Sequence, residues 1–307
     1  MNHILLTIDV EDWFQVENFK NYIPFSSWPS YELRVEKNSH RILDLLDSIT
    51  LEPSSLLASQ LSSRKNSPKA SFFVLGWLAE RLPGLVREIH SRGHEVASHG
   101  YNHNLCNQQS CEDLKKDLKD SKKLLEDIIG SQVYGYRAPS FAINNDILQV
   151  IEDCGYLYDS SYNSFAMHER YGRLYLSKNE NKGVAVKISN NFYELPISNI
   201  KFSIQNSKSR AQNLQLPWGG GGYFRIIPLS LFKMGVNSIL NKYKAYIFYM
   251  HPWEIDSKQP RIKEASCFVK FRHYVNLHKN AYRFSSFIKY FRKDSFTTCH
   301  KYLTELG

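Results

Sequence analysis

Two histidines four residues apart, His99 and His103 in Ser98-His99-Gly100-Tyr101-Asn102-His103, stand beside a glycine just after the run Ser91-Arg92-Gly93-His94-Glu95-Val96. On one helical turn, imidazoles at this spacing face the same way and can share a metal ion. The same pair can also be two ordinary surface histidines, since the chain has 11. The distinction turns on what else converges there. Asp9, Glu11 and Asp12 follow the apolar run Ile4–Ile8, Arg137 follows Val133–Tyr136, Asp159 follows Tyr156–Tyr158, and His251 closes the aromatic run Ala245–Met250. A carboxylate plus two imidazoles can bind a divalent ion with room for a water, whose pKa falls toward neutrality. A second carboxylate could take the proton of that water, and a further histidine could protonate a leaving amine. The chemistry pointed to is hydrolysis of an amide or ester.

These residues need strands to carry them, because side chains in parallel α/β barrels gather at the carboxyl ends of strands. The pattern supplies strands. Ile4–Asp9 reads as a buried parallel strand, and Val35, Ile42, Leu45, Leu46 and Ile49 recur at helical spacing after it. The run 70–77 reads as a second strand, 78–93 as one amphipathic helix stopped by Gly93, and 94–99 as a third strand. The segment 110–130 places Leu114, Leu118, Leu124, Leu125 and Ile128 on one side before a glycine stop, the clearest helix of the chain. Residues 51–69, rich in Ser, Leu and Lys, read as a surface loop insertion open to proteolysis. Four glycines at 219–222 lack the Lys-Ser/Thr ending of a phosphate loop, leaving a tight bend near a ligand or a plain flexible loop. Strand and helix alternate over about 160 residues, the signature of a parallel α/β sheet or barrel.

The 307 residues suffice for a large core, and 42% hydrophobic with 22% charged residues is ordinary globular usage. A net charge of +9 raises the question of a polyanionic partner. No zinc finger, RNA-recognition signature or basic zipper is present, so nucleic acid is not expected. The basic carboxyl-terminal stretch suggests peripheral contact with an anionic membrane surface instead. No segment reaches the roughly 18–20 apolar residues of a membrane span, and the amino terminus lacks a signal peptide's basic start and long apolar run, so a cytoplasmic location is expected. Five cysteines without a C-x-x-C pair indicate neither a disulfide framework nor a thiolate zinc site.

Taken together, "LLTIDVEDWF", "KASFFVLGWLAERLPGLVREIHSRGHEVASHGYNH", "GYRAPSF", "YDSS" and "YMHPWEID" resemble the polysaccharide deacetylase (NodB-homology) family of carbohydrate esterase family 4. The likeness is to the branch of allantoinases and peptidoglycan deacetylases and covers residues 1 to about 256. The stretch after it resembles the extension found on exosortase-associated members. The resemblance implies a distorted (β/α)7 barrel over 1–256, with 257–307 as a helical extension packed on it. It implies a divalent metal, Zn2+ in the first instance, and removal of N-acetyl groups from an aminosugar-containing glycan or glycan precursor. By position, Asp9 matches the catalytic base, His99 and His103 the metal-binding pair, Arg137 the arginine that orients the base, and His251 the general acid. The family's adjacent pair of Asp is replaced here by Asp9-Val10-Glu11-Asp12. Strand alternation favours Glu11 as third ligand and a bend favours Asp12, so both stand as candidates. Pro139, Asp159, Tyr223 and Trp253 are candidates for substrate binding, and Trp13 and Trp218 for either sugar stacking or core. The competing functions are a cyclic-amide hydrolase of the allantoinase kind and a non-catalytic glycan-binding homologue.

Overall fold

The computed structural model of the chain describes residues 1–51, 67–165, 172–176, 180–204 and 212–306. The expected loop insertion at 51–69 thus lies mostly outside the described residues. The chain builds β1 (His3–Val10), α1 (Val35–Asp47), β2 (Ser71–Val74), α2 (Gly76–Arg81), α3 (Pro83–Ser91), β3 (Glu95–Ser98), α4 (Cys111–Ile129), β4 (Gly135–Tyr136), α5 (Asn145–Asp153) and β5 (Tyr158–Asp159). It continues with β6 (Glu180–Lys182), β7 (Ala185–Lys187), β8 (Tyr193–Glu194), β9 (Asn199–Ile204), β10 (Gln212–Pro217), α6 (Gly221–Ile226), α7 (Leu229–Tyr243) and β11 (Ala245–Met250). Last come α8 (Cys267–Tyr274), α9 (Leu277–Tyr290), β12 (Ser295–Thr297) and α10 (Cys299–Leu306).

The main sheet runs β11-β1-β2-β3-β4-β5-β8-β7-β6, with β9 and β10 a separate antiparallel pair. The seven strands from β11 to β8 are parallel, while β7 and β6 return antiparallel. This curled half-barrel has the expected seven parallel strands, and no pairing between β11 and β8 closes it among the described residues.

The apolar run of β1 explains both its burial and its role. Ile4, Leu6, Ile8 and Val10 enter the larger core beneath the helices, whereas Leu5 enters a smaller inner core with Phe73, Tyr158 and Ile247. Alternation with period two therefore puts Leu5, Thr7 and Asp9 on the inner face, apolar below and polar toward the carboxyl end.

One helical expectation changes. Residues 78–93 are not one helix: α2 and α3 meet at Leu82, because Pro83 cannot donate to the preceding turn and takes the first position of the next helix. Of the two readings of the glycine run, the tight bend holds: Gly220 lies at φ 130 against Tyr249 and Gly221 at φ 54, and the chain then turns into the helix Gly221–Ile226. The expected 110–130 helix is present, with Ser110 capping Asp113 N and Gly130 in the left-handed conformation at its end.

The segment after 256 is more than helical. Its β12 pairs parallel with His3–Leu5 of β1, and α9 packs Phe284 and Phe287 against Phe248 of β11 at ring separations of 5.6 and 5.2 Å. Truncating one such buried phenylalanine to alanine costs about 3–5 kcal/mol, so this segment is part of the core. Among the described residues no helix is long and apolar enough to cross a membrane.

Candidate metal and hydrolytic site

The carboxyl ends of the parallel strands bring together Asp9 and Glu11 after β1, His99 and His103 after β3, Arg137 after β4 and His251 after β11. All of these except Arg137 line one cavity, about 740 Å³ of open space, along with Ala138, Ser140 and Phe141.

Glu11 is the hub. Its Oε1 lies 2.9 Å from His99 Nε2 and 3.1 Å from His103 Nε2. His99 Nδ1 donates to the Arg137 carbonyl at 2.8 Å, so in the neutral ring Nε2 carries a lone pair toward Glu11. Two acceptors this close need a positive species between them. Ligand atoms about 2.1 Å from a tetrahedral ion sit about 3.4 Å apart, a few tenths of an ångström beyond the separations seen. Among the described residues, Glu11, His99 and His103 form a group of three whose ligand atoms all lie within 4.8 Å of one another. Burial alone would raise the Glu11 carboxyl, yet the charges of His103 and His251 and both imidazole contacts hold it well below the usual range. The donor set fits a divalent cation.

The histidine pair is not on a helical turn. His99 directly follows β3 and His103 sits in a loop at φ 58, with Gly100 at φ 75 turning the chain between them. A non-glycine residue at positive φ costs about 1 kcal/mol or more, and the loop bears that cost where His103 must turn inward.

Asp12 is corrected as a candidate ligand. One residue beyond Glu11, it falls on the opposite parity. Its carboxylate accepts from Arg34 N at 2.6 Å, Val35 N at 2.8 Å and Trp13 N at 2.8 Å, capping the start of α1 from a distance in sequence. Burial pushes it up to about 6 despite these three donors.

Arg137 is completely buried and divides its donors. Nη1 reaches Asp9 Oδ1 at 2.7 Å and Thr7 Oγ1 at 2.7 Å, while Nε and Nη2 hold the carbonyl and hydroxyl of Ser160 at 2.8 Å each. Asp9 Oδ2 lies 3.9 Å from His251 Nε2, and Glu11 Oε1 lies 3.7 Å from the same nitrogen.

Two residues of this site had no role in the sequence reading. Glu254 Oε1 contacts His251 Nδ1 at 2.9 Å, and its Oε2 accepts from Arg225 Nε at 2.8 Å. Arg225 in turn donates to the carbonyls of Arg272, His273 and Val275 at 2.7–2.9 Å. Burial works against a charged His251, but Glu11, Glu254 and Asp9 outweigh it and raise the imidazole to about 9. A carboxylate three residues after the histidine, in His-Pro-Trp-Glu, was the available signal for Glu254; Arg225 had none.

The candidate substrate residues fare differently. Trp253 lines the cavity, but its ring is stacked on His251 and on His273 at centroid separations of 5.3 and 4.2 Å. It supports His251 rather than presenting a free face to a sugar. Asp159 does not reach the cavity: it is fully buried, bound by Ser161 and paired in register with Glu194. Burial raises both acids, and the charge of Asp159 further raises Glu194. Pro139 is buried behind Ala138, Ser140 and Phe141, which line the cavity in its place, and Tyr223 packs its edge on Phe165 while Gly221 and Gly222 form the wall. Trp13 and Trp218 are core, the first edge-on to Tyr31 and the second stacked on Phe232.

The curled parallel sheet thus carries at its carboxyl end a buried Glu-His-His group flanked by Asp9 and His251. Residues 62–158 match the polysaccharide deacetylase family, and residues 160–304 match a domain of unknown function, DUF3473. The first of these matches runs from β2 to the start of β5 and takes in His99, His103 and Arg137, and the second runs from β6 into α10 and takes in His251. It is 31% identical over 93 residues to the peptidoglycan-N-acetylglucosamine deacetylase of Bacillus cereus, covering 30% of this chain and 43% of the relative. It is 30% identical over 134 residues to the peptidoglycan-N-acetylglucosamine deacetylase PgdA of Listeria monocytogenes, covering 43% and 28%. The chain thus spans less than half the length of these curated relatives. A crystal structure described as a polysaccharide deacetylase from Mycobacterium smegmatis superposes with a TM-score of 0.57 at 16% identity, covering 99% of this chain and 89% of that one. The similarity of fold therefore includes the DUF3473 half.

Proposed function

We propose that this protein is a metal-dependent deacetylase that removes N-acetyl groups from an aminosugar of a polysaccharide or its precursor. The observation that carries the reading is the placement of Asp9 and His251 beside the Glu11-His99-His103 group, base and acid flanking one ligand set.

Glu11, His99 and His103 would hold the ion. A divalent cation, zinc being well suited to two imidazoles and one carboxylate, polarises an acyl carbonyl and acidifies water. Asp9 takes the proton of the attacking water, and Arg137 keeps Oδ1 occupied so that the carboxylate presents Oδ2. His251 gives a proton to the departing amine from Nε2, while Glu254 fixes the ring through Nδ1. The products are acetate and a free aminosugar. The cytoplasm is the compartment we infer, supported by five free thiols, three of them buried.

The test is metal content together with acetate release from N-acetylglucosamine oligomers, for the wild type, His99→Ala and Asp9→Asn. The wild type should bind about one ion per chain and release acetate. His99→Ala should lose both, and Asp9→Asn only the second. Acetate release unchanged in both variants overturns the reading.

A further inference from the structure

Residues 221–293 contain 14 Lys and Arg against 3 Asp and Glu, whereas the rest of the chain contains 25 against 27. The excess charge of the whole protein therefore lies in this stretch. Two of its three acids are buried and committed, Glu254 to Arg225 and Asp256 to Arg34, which leaves only Glu264 at the surface.

The same stretch carries most of the protein's exposed apolar bulk. Of the 11 large hydrophobic side chains exposed among the described residues, seven belong to it: Ile226, Leu231, Met234, Phe268, Phe271, Tyr282 and Tyr290. Phe268 and Met234 are 68% and 66% exposed. On α9, Lys279, Tyr282, Lys289 and Tyr290 recur along one helical stripe. That stripe adjoins α7, where Asn237 Nδ2 donates to the Tyr290 hydroxyl at 3.1 Å and Lys233 Nζ sits 4.7 Å from the Tyr290 ring centre. On α8, Arg272 lies over the Phe268 ring at 5.7 Å and also lines the catalytic cavity, as do Gly221, Gly222 and Arg225 of α6. Through Arg272 the α8 part of this basic, apolar surface adjoins the wall of the cavity.

We propose that the surface formed by α6 to α9 docks on an anionic lipid bilayer, with the cavity mouth at the edge of the contact. Charge draws this face to acidic headgroups, and Leu231, Met234, Phe268 and Phe271 enter the headgroup and acyl boundary. A dissolved polyanion such as nucleic acid accounts for the lysines but gives aliphatic side chains nothing to enter, so the bilayer explains both halves of the composition. Under the deacetylase reading, on which this clause alone rests, the substrate is an aminosugar glycan borne by the membrane.

The experiment is flotation of the full chain with vesicles of phosphatidylcholine alone or mixed with phosphatidylglycerol, beside acetate release from a soluble aminosugar oligomer. Binding should need phosphatidylglycerol and disappear in about 1 M salt. Lys279→Glu with Lys289→Glu should weaken it on the order of a hundred-fold, and Phe268→Ser with Phe271→Ser should weaken it without changing its salt dependence. All four substitutions should leave soluble-substrate activity intact. Absence of vesicle binding, binding that survives both double variants, or binding to duplex DNA with none to vesicles overturns the proposal. Failure of acetate release by the wild type bears only on the deacetylase reading.

Discussion

Arg137 donates to Asp9 across 2.7 Å, with both side chains shut away from solvent. The arginine cannot shed its charge, so Asp9 is its fixed counter-ion as well as the candidate base. Asp9→Asn should lower kcat by about 10²–10⁴-fold while metal content is kept. It should also reduce stability by up to about 3–5 kcal/mol, because a buried cation loses its partner. Denaturant unfolding beside metal analysis checks both; a variant as stable and active as the wild type contradicts the arrangement.

Glu254 touches His251 and not the cavity's ligand set, so its contribution is to hold the ring for proton donation. Glu254→Gln keeps the shape and weakens that hold. Acetamide cleavage, whose amine must leave protonated, should fall by about 10–100-fold, whereas cleavage of 4-nitrophenyl acetate should change little. Equal losses on both substrates would assign Glu254 a purely structural role.

Removing the ion by chelation should lower the thermal midpoint, since Glu11, His99 and His103 are then left facing one another. Readdition at about a hundred times Kd should restore about 2.7 kcal/mol. His99→Ala should have a lower midpoint and be insensitive to both treatments. Scanning calorimetry with and without chelator gives the answer, and a chelator shift retained by His99→Ala would place the ion elsewhere.

His94 immediately precedes β3, and Ala70 N donates to its Nδ1 at 3.2 Å. Burial, helped by Lys69 and Arg92, lowers it from 6.5 to about 3. Between those values the unfolded chain binds the extra proton, so stability must fall as pH drops from about 6.5 toward 3. The slope from this group is at most about 1.4 kcal/mol per pH unit. His94→Asn keeps an acceptor for Ala70 and should flatten that limb in urea titrations at pH 4 and 7; an unchanged slope would mean His94 titrates normally.

Gly220 sits at φ 130, and a Cβ there would lie 2.1 Å from the Tyr249 carbonyl. Gly220→Ala should therefore cost about 2–4 kcal/mol and displace α6, which carries Arg225. Loss of amide hydrolysis out of proportion to loss of metal would trace the path through Arg225 and Glu254. A stable, fully active variant would show that the close approach does not matter.

The fold and the centre of the site were legible because they follow from short-range rules. The apolar run of β1, the periodic leucines of α4 and the polar residues just beyond each strand located Asp9, His99, Arg137 and His251. Alternation separates Glu11 from Asp12 once β1 is known to keep its pairing up to Val10, a tertiary fact absent from the four letters themselves. Asp159 misled because a carboxylate at a strand end looks the same whether it faces a cavity or a neighbouring acid, and Glu194 lies 35 residues further on. Arg225 was invisible for a similar reason: besides Glu254, 29 residues on, its partners are three carbonyls around residue 273, and carbonyls leave no mark in a sequence. Trp253 was found as a cavity residue, but only coordinates show its ring occupied by His251 and His273.

β12 fills the flank of β1 that β2 leaves open: His3–Leu5 pair with Ser295–Thr297, whereas Thr7–Val10 pair with Ser71–Val74. The strand that carries Asp9 is therefore clamped on both sides over nearly its whole length, and a slip of one residue, which would turn Asp9 to the opposite face, must first break the ladder that β12 supplies.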